Sequence, residues 1–280
     1  MAIPFLPGYG IKPLSIDPLG VVTFTDGTND VIPNQQQCEA YGYTYNIATG
    51  TCSTFTFSKN LGRNLINEKN RLLGAGNSTE TGTNNTQIIG EENIVKGTAT
   101  NNIMVGTKNE IANGVNNGSV FGTRGEVTAN NSLVIGGSSS TDNLGERQSM
   151  QLMYGVQTTT GSTVNSYLNN ITDKYLVVPD NTIMYFHADV IAVRVGGTAE
   201  GSNGDYSSWV ERGVVINESG TLSVNRERDA IKSSGLVSAW RPTANVTGTN
   251  FRMTVRGATD VTIEWNSNIT FTQIKTGVAL

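Results

Sequence analysis

Between Asn70 and Gly136 five short segments repeat one pattern, a few apolar residues closed by a glycine. They are Asn70-Arg-Leu-Leu-Gly74, Thr86-Gln-Ile-Ile-Gly90, Asn102-Ile-Met-Val-Gly106, Gly118-Ser-Val-Phe-Gly122 and Ser132-Leu-Val-Ile-Gly136, with glycine spacings of 16, 16, 16 and 14 residues. Val95, Ile111 and Val127 each follow a glycine by five residues, and paired asparagines (Asn84-Asn85, Asn101-Asn102, Asn116-Asn117, Asn130-Asn131) precede the later copies. A fixed period of this size marks a repeat architecture: one unit cannot bury its own apolar face, and stacked units share a continuous core. Each unit reads as a strand, a glycine turn (Gly74, Gly90, Gly106, Gly122, Gly136), a short strand and an Asn-rich turn, because Gly and Asn tolerate the positive φ that such turns need. Ser58–Gly62 reads as a degenerate first turn. Two or three apolar side chains per unit make a thin core. Three chains side by side would supply the missing burial, so a homotrimer is expected, with Ile89, Val105, Phe121 and Ile135 as the core of roll and trimer. The alternatives are a monomeric solenoid and a disordered Asn-rich linker; the regular spacing argues against the linker.

Before the repeat, residues 1–57 are irregular. Pro4, Pro7, Gly8, Pro13 and Pro18 interrupt the first twenty positions. Proline fixes φ and removes a donor, so this segment is neither a helix nor a central strand. Large apolar residues are interleaved, among them Ile3, Phe5, Leu6, Tyr9, Ile11, Leu14 and Ile16. Disordered tails are poor in such residues. An extended arm that docks on another protein, with Ile3, Pro4, Phe5, Leu6, Tyr9, Ile11, Leu14 and Ile16 as the anchor, is therefore expected over a free tail. Cys38 and Cys52, the two cysteines, fall in one short loop; a disulfide and a pair of packed thiols both remain open, since spacing alone does not decide.

After a linker at 138–146, residues 147–280 read as antiparallel sheet. Period-two alternation places Phe251, Met253 and Val255 on one face, Val261, Ile263 and Trp265 on another, and Phe186, Ala188, Val190 and Ala192 on a third. Gly257–Asp260 reads as a hairpin turn between the first two. Further strands are expected at 151–157, 175–178, 209–216, 221–224 and 236–241. About eight strands joined by turns make a sandwich or jelly roll. The class is all-β, consistent with the chain's 32 glycines and its abundant Asn, Thr and Ser.

Composition narrows the function. The net charge is −4 and no Lys/Arg run exceeds two residues, so the counterion-displacing patch that nucleic acid requires is missing. No apolar stretch is long enough to span a bilayer, and the first residues lack the basic and long apolar regions of a secretory leader; synthesis in a cytoplasm without export by that route is expected. One histidine, His187, lies far from both cysteines in sequence, so no metal cage is expected. His187 and Asp189 share a strand face, but no G-x-S-x-G elbow accompanies them, and an exposed polar pair is the expectation. The carboxylates of the C-terminal region are scattered, and none is singled out as a glycosidase pair. Gly196–Gly201 lacks the lysine and helix of a phosphate loop. Trp209, Trp240 and Trp265 sit in strand patterns and are expected in the core rather than stacked on sugars. No enzymatic activity and no cofactor are expected.

Three stretches resemble known families. The repeat, as in Asn131-Ser-Leu-Val-Ile-Gly136, resembles the head repeats of trimeric autotransporter adhesins, which are left-handed β-rolls in trimers. The stretches Leu176–Phe186, Ser208–Gly213 and Val255–Trp265 resemble a β-sandwich domain recurrent in fibre proteins of tailed phages. The loop Gln37–Cys52 is similar to a short cysteine motif of phage fibre sequences. Together the resemblances imply a virion fibre: an N-terminal arm on the capsid or another virion protein, a β-roll shaft and a sandwich head. The compact length is similar to head fibres such as those of crAss-like phages, with adhesion to host-surface glycan as a secondary role. A glycan-binding tail-fibre tip is the alternative. A bacterial surface adhesin ranks below both, since it needs a leader and an anchor.

Overall fold

The computed structural model describes residues 10–17, 19–54, 69–139 and 141–276. The chain divides into two compact units, Met1–Ile66 and Asn67–Leu280.

In the first unit, β1 (Lys12–Ile16) pairs with β2 (Val22–Thr25), and β2 with β3 (Asp30–Val31), all antiparallel. Pro13 is tolerated because β1 is an edge strand. A six-residue helix, α1 (Gln35–Ala40), follows. Its capping box is reciprocal: Asn34 Oδ1 accepts from the Gln37 amide at 2.9 Å and Gln37 Oε1 from the Asn34 amide at 3.0 Å. The hairpin β4 (Thr44–Asn46) and β5 (Thr51–Ser53) carries Cys52 back to Cys38 on the helix, and the two sulfurs are bonded. Ile11, Val22, Phe24 and this disulfide form a small core, with the rings of Tyr41 and Tyr43 edge-on to Phe24. Over its described residues this region is thus a folded module rather than an extended arm.

The second unit is all-β and opens with a β-solenoid. Its long strands are β6 (Arg71–Leu73), β8 (Gln87–Glu91), β10 (Ile103–Thr107), β12 (Ser119–Thr123) and β14 (Leu133–Gly137), stacked parallel in register. Between them lie the two-residue strands β7 (Ser78–Thr79), β9 (Ile94–Val95), β11 (Glu110–Ile111) and β13 (Glu126–Val127), which form a second parallel ladder. Bridges from Asn84 to Thr100 and on to Asn116 form a third. Three columns of side chains fill the interior: Ile88, Met104, Val120 and Val134; Val95, Ile111 and Val127; and Ala99, Val115 and Ala129.

Beyond the solenoid come β15 (Arg147–Thr158), β16 (Thr163–Leu168), β17 (Leu176–Val177), β18 (Thr182–Gly197), β19 (Tyr206–Glu218), β20 (Thr221–Ser233), β21 (Arg241–Thr247), β22 (Asn250–Arg256) and β23 (Val261–Lys275). β14 pairs antiparallel with β15, so the long solenoid ladder continues without a break into one sheet of order β20-β19-β18-β23-β15-β14-β12-β10-β8-β6. The expected linker at 138–146 therefore connects two neighbouring strands of that sheet. β22 pairs with β16, β17 and β21 and packs against the large sheet through Phe251, whose ring centroid lies 5.2 Å from Phe186 and 5.1 Å from Phe271. Tyr154 links the layers: its hydroxyl accepts from the Leu176 amide at 2.8 Å and donates to the Phe251 carbonyl at 3.3 Å, and burial pushes its pKa well up.

Two expectations are corrected here. Gly257–Asp260 is not a hairpin turn, because β22 and β23 lie in different layers; both edges of β23 are taken by β15 and β18. The strand expected at 236–241 begins instead at Arg241, and β16, largely polar, carries no clear alternation in the sequence. The charged stretch from Asn225 to Lys232 continues β20, an exposed edge strand whose charges discourage further pairing.

Candidate functional site: an apolar outer sheet face

Each coil of the solenoid turns at a fixed set of backbone devices. The predicted glycines Gly90, Gly106 and Gly122 lie within strands rather than at turns, with φ of +128°, +130° and +97°. A Cβ on any of them would collide with the carbonyl oxygen of the corresponding glycine in the next coil. Gly74 has the same constraint toward Gly90, whereas Gly136 has no positive φ and is confined by the backbone of Thr123 and Gly125. Two residues further on, Glu92, Lys108 and Arg124 adopt left-handed φ of +53° to +57°. These charged residues gave no sequence signal for a turn.

Next to them runs a buried asparagine ladder. Asn93 Nδ2 donates to Asn77 Oδ1 at 3.0 Å, Asn109 Nδ2 donates to Asn93 Oδ1 at 3.1 Å, and Gly125 N closes the run on Asn109 Oδ1 at 2.8 Å. Each amide also donates to a glycine carbonyl thirteen residues on: Gly90, Gly106 and Gly122. The asparagines at the opposite corner, Asn85, Asn101, Asn117 and Asn131, have left-handed φ, and their side chains bond in pairs, Asn85 to Asn101 and Asn117 to Asn131. These ladders lock coil to coil in register, which fixes the outer face.

On that face the expected roll core is corrected. Ile89, Phe121 and Ile135 are 48%, 40% and 54% exposed, and Val105 is half-buried; their neighbours Ile88, Met104, Val120 and Val134 fill the roll. Strand alternation forces one of each pair outward. Leu73, Ile89, Val105, Phe121 and Ile135 stand opposite one another along the ladder. The row continues through Ser149 and Thr272 to Tyr185 and Val214. Ile274 and Ile183, paired across β23 and β18, sit beside it, and both are exposed. A single chain therefore presents an apolar stripe along the five solenoid strands and a second apolar patch on β18 and β23, separated by the polar Ser149 and Thr272, and such surfaces mark interaction sites.

The other predicted residues fall as follows. Ile3, Pro4, Phe5, Leu6 and Tyr9 lie outside the described residues, as does Ser58–Gly62. Ile11 is buried in the first unit's core, and its carbonyl accepts from Tyr41 Oη at 2.7 Å, so it is not available to a docking partner; Leu14 and Ile16 are exposed. Trp209, Trp240 and Trp265 are buried together, with Trp209 stacked on Trp265. His187 Nε2 lies 3.3 Å from Asp189 Oδ1 on the outer face, with Arg212 and Thr270 as its cross-strand neighbours. Among the described residues no group of three His, Cys, Asp or Glu is placed to hold a metal ion, and no helix is long and apolar enough to cross a membrane.

No protein family and no curated protein matches this chain. Solved structures with partial likeness include tailspikes of Acinetobacter phages. The tailspike of Acinetobacter baumannii phage AM24 is 9% identical, with a TM-score of 0.26 over 74% of this chain and 49% of the tailspike. Tailspike gp49 of Acinetobacter baumannii phage Fri1, a capsular polysaccharide depolymerase, is 7% identical, with a TM-score of 0.24 over 73% and 48%. The tailspike of Acinetobacter phage vB_ApiP_P1 is 10% identical, with a TM-score of 0.20 over 72% and 46%. The chain spans about half the length of each.

Proposed function

We propose that this chain is a non-enzymatic structural fibre of a tailed bacteriophage virion. In this reading it is a homotrimer, attached to the capsid through its N-terminal region as a head fibre. It projects a left-handed β-roll shaft and a β-sandwich head formed by the two layers around Phe186, Phe251 and Phe271. It is made in the host cytoplasm and displayed on the particle surface.

The observation that carries the reading is the outer row Leu73, Ile89, Val105, Phe121 and Ile135. A row in strict register, one apolar side chain per coil, suits burial against identical rows of two further copies about a common axis. Closed symmetry would leave none of the three rows exposed. Tyr185, Ile183 and Ile274 would extend the contact into the head. Leu14, Ile16 and the segment before Ile11 remain as the anchor. The second reading, a receptor-binding tail component that recognises cell-surface glycan, is favoured by the arginine-lined cleft described below.

The test is immunogold labelling of intact particles with an antibody to residues 147–276. Gold around the capsid supports the head fibre, gold confined to the tail selects the second reading, and particles without gold overturn both. Light scattering of the purified protein should give three chain masses. Removing residues 2–9, short of the buried Ile11, should leave that trimer intact but absent from particles.

A further inference from the structure

At the edge where β20 passes over β21, a cleft of about 390 Å³ is lined by Arg226, Arg228, Arg241 and Arg256, with Thr243 and Asn245 among its hydroxyl and amide groups and no carboxylate in its lining. That concentration of positive charge occurs on a chain whose net charge is −4. The nearest acids do not cancel it. Glu227 and Asp229 lie on the other face of β20, where both engage Arg212. Glu211 lies beneath the cleft, fully buried, and offsets one of the four cations through Arg226 at 3.1 Å.

Three of the guanidiniums are held from behind. Arg226 Nη1 donates to Glu211 Oε1, Arg228 Nη1 to the Pro242 carbonyl at 2.6 Å, and Arg256 Nε to the Gly161 carbonyl at 3.0 Å. Each anchoring bond uses one of five donors and leaves the rest of a planar fork pre-oriented. The fourth, Arg241, makes no ion pair among the described residues and stands directly opposite Arg256 across the β21–β22 ladder. Like charges in that position are destabilising. The fold thus holds a repulsive pair beside two further cations, and an oxyanion bridging them would relieve the repulsion while satisfying their free N–H groups.

We infer that this cleft binds the carboxylate of an acidic sugar within a polyanionic glycan. Oxyanion chemistry explains the arginines, and Thr243 and Asn245 add donors and acceptors suited to sugar hydroxyls. The inference deepens the glycan-recognition reading of this virion protein and rests on it for its biological setting. Its test does not depend on where the protein sits on the particle.

The experiment is calorimetric titration of the full-length protein at low salt with tetragalacturonate, a neutral tetrasaccharide and inorganic phosphate. The expected result is saturable binding of tetragalacturonate, weakened by added salt and absent for the neutral sugar. Arg241→Gln should weaken it about tenfold or more, the loss of one charge-assisted contact. The double variant Arg241→Gln/Arg256→Gln should abolish it. Arg241→Gln should melt at or above the wild-type temperature, because the repulsion is gone; a purely structural role for Arg241 would lower it. No binding of tetragalacturonate, equal binding of the neutral sugar, binding of phosphate alone, or unchanged affinity in the variants would each overturn the inference. Gold labelling on the particle would still decide the fibre reading separately.

Discussion

Two glycines of the solenoid, both at positive φ, differ in their coil-to-coil contact. Gly106 has φ +130°, and a Cβ there would collide with the Gly122 carbonyl, whose carbon would be only 2.8 Å away. Gly114 has φ +76° and nothing within 4 Å of the same position. Alanine at either site adopts a positive φ, at a cost of roughly 1–3 kcal/mol, and the +130° of Gly106 lies further from the left-handed well than the +76° of Gly114. At Gly106 the next coil must also retreat by more than about an ångström to clear the Gly122 carbonyl oxygen. That retreat stretches the ladder between β10 and β12 and the bond from Asn109 Nδ2 to Gly122 O, 2.9 Å long. Two or three hydrogen bonds weakened at about 1 kcal/mol each make Gly106→Ala worse than Gly114→Ala by about 2–4 kcal/mol. Urea unfolding followed by circular dichroism, at one fixed protein concentration because assembly contributes, measures the difference. Equal destabilisation of the two variants would refute the claim that contact between coils makes glycine necessary at position 106.

The inward and outward columns predict opposite phenotypes. Val120→Asp places an unpaired charge in the roll and should prevent folding of the shaft, while Phe121→Asp should leave strand content intact and yield monomers in light scattering; a trimeric Phe121→Asp would remove the shared-core argument. Burial raises the pKa of Glu211 above the usual 4.5, against the opposing effects of the Ala244 amide and Arg226. The native state therefore holds this proton more tightly than the unfolded chain, so this group's contribution to stability falls as pH rises from 4.5 through the raised value. Glu211→Gln should lack that slope in parallel melts across the window, and identical slopes would count against the desolvation. Reducing Cys38–Cys52, which closes a loop with a sequence separation of 14, should destabilise the first unit by about 3 kcal/mol, read as faster proteolysis within 10–54. The second unit holds neither cysteine and should melt unchanged; a shifted melt would contradict the division into two units.

Much of the architecture was legible because repetition leaves a trace in the chain itself. The 16-residue period, the Val95, Ile111 and Val127 column and the alternation at Phe186–Ala192 each follow from where a stacked coil or a half-buried strand must place apolar groups. The helix at 35–40 also has a local signature, the Asn34–Gln37 capping pair that follows Pro33. Other features had no local signature. Ile88 and Ile89, or Val120 and Phe121, are equally apolar, so no contrast in the sequence says which points inward; packing against the second ladder decides it. Nor does a short loop reveal whether the strands it joins pair with each other. Gly257–Asp260 crosses between layers only because β15 and β18 already occupy both edges of β23. The arginine cleft likewise joins residues from β20, β21 and β22 that are ordinary surface charges until the sheets close over Glu211. Periodicity is a property of neighbours along the chain, and the sequence determines it alone. Facing, layer and charge convergence are properties of neighbours in space, and only the tertiary structure decides them.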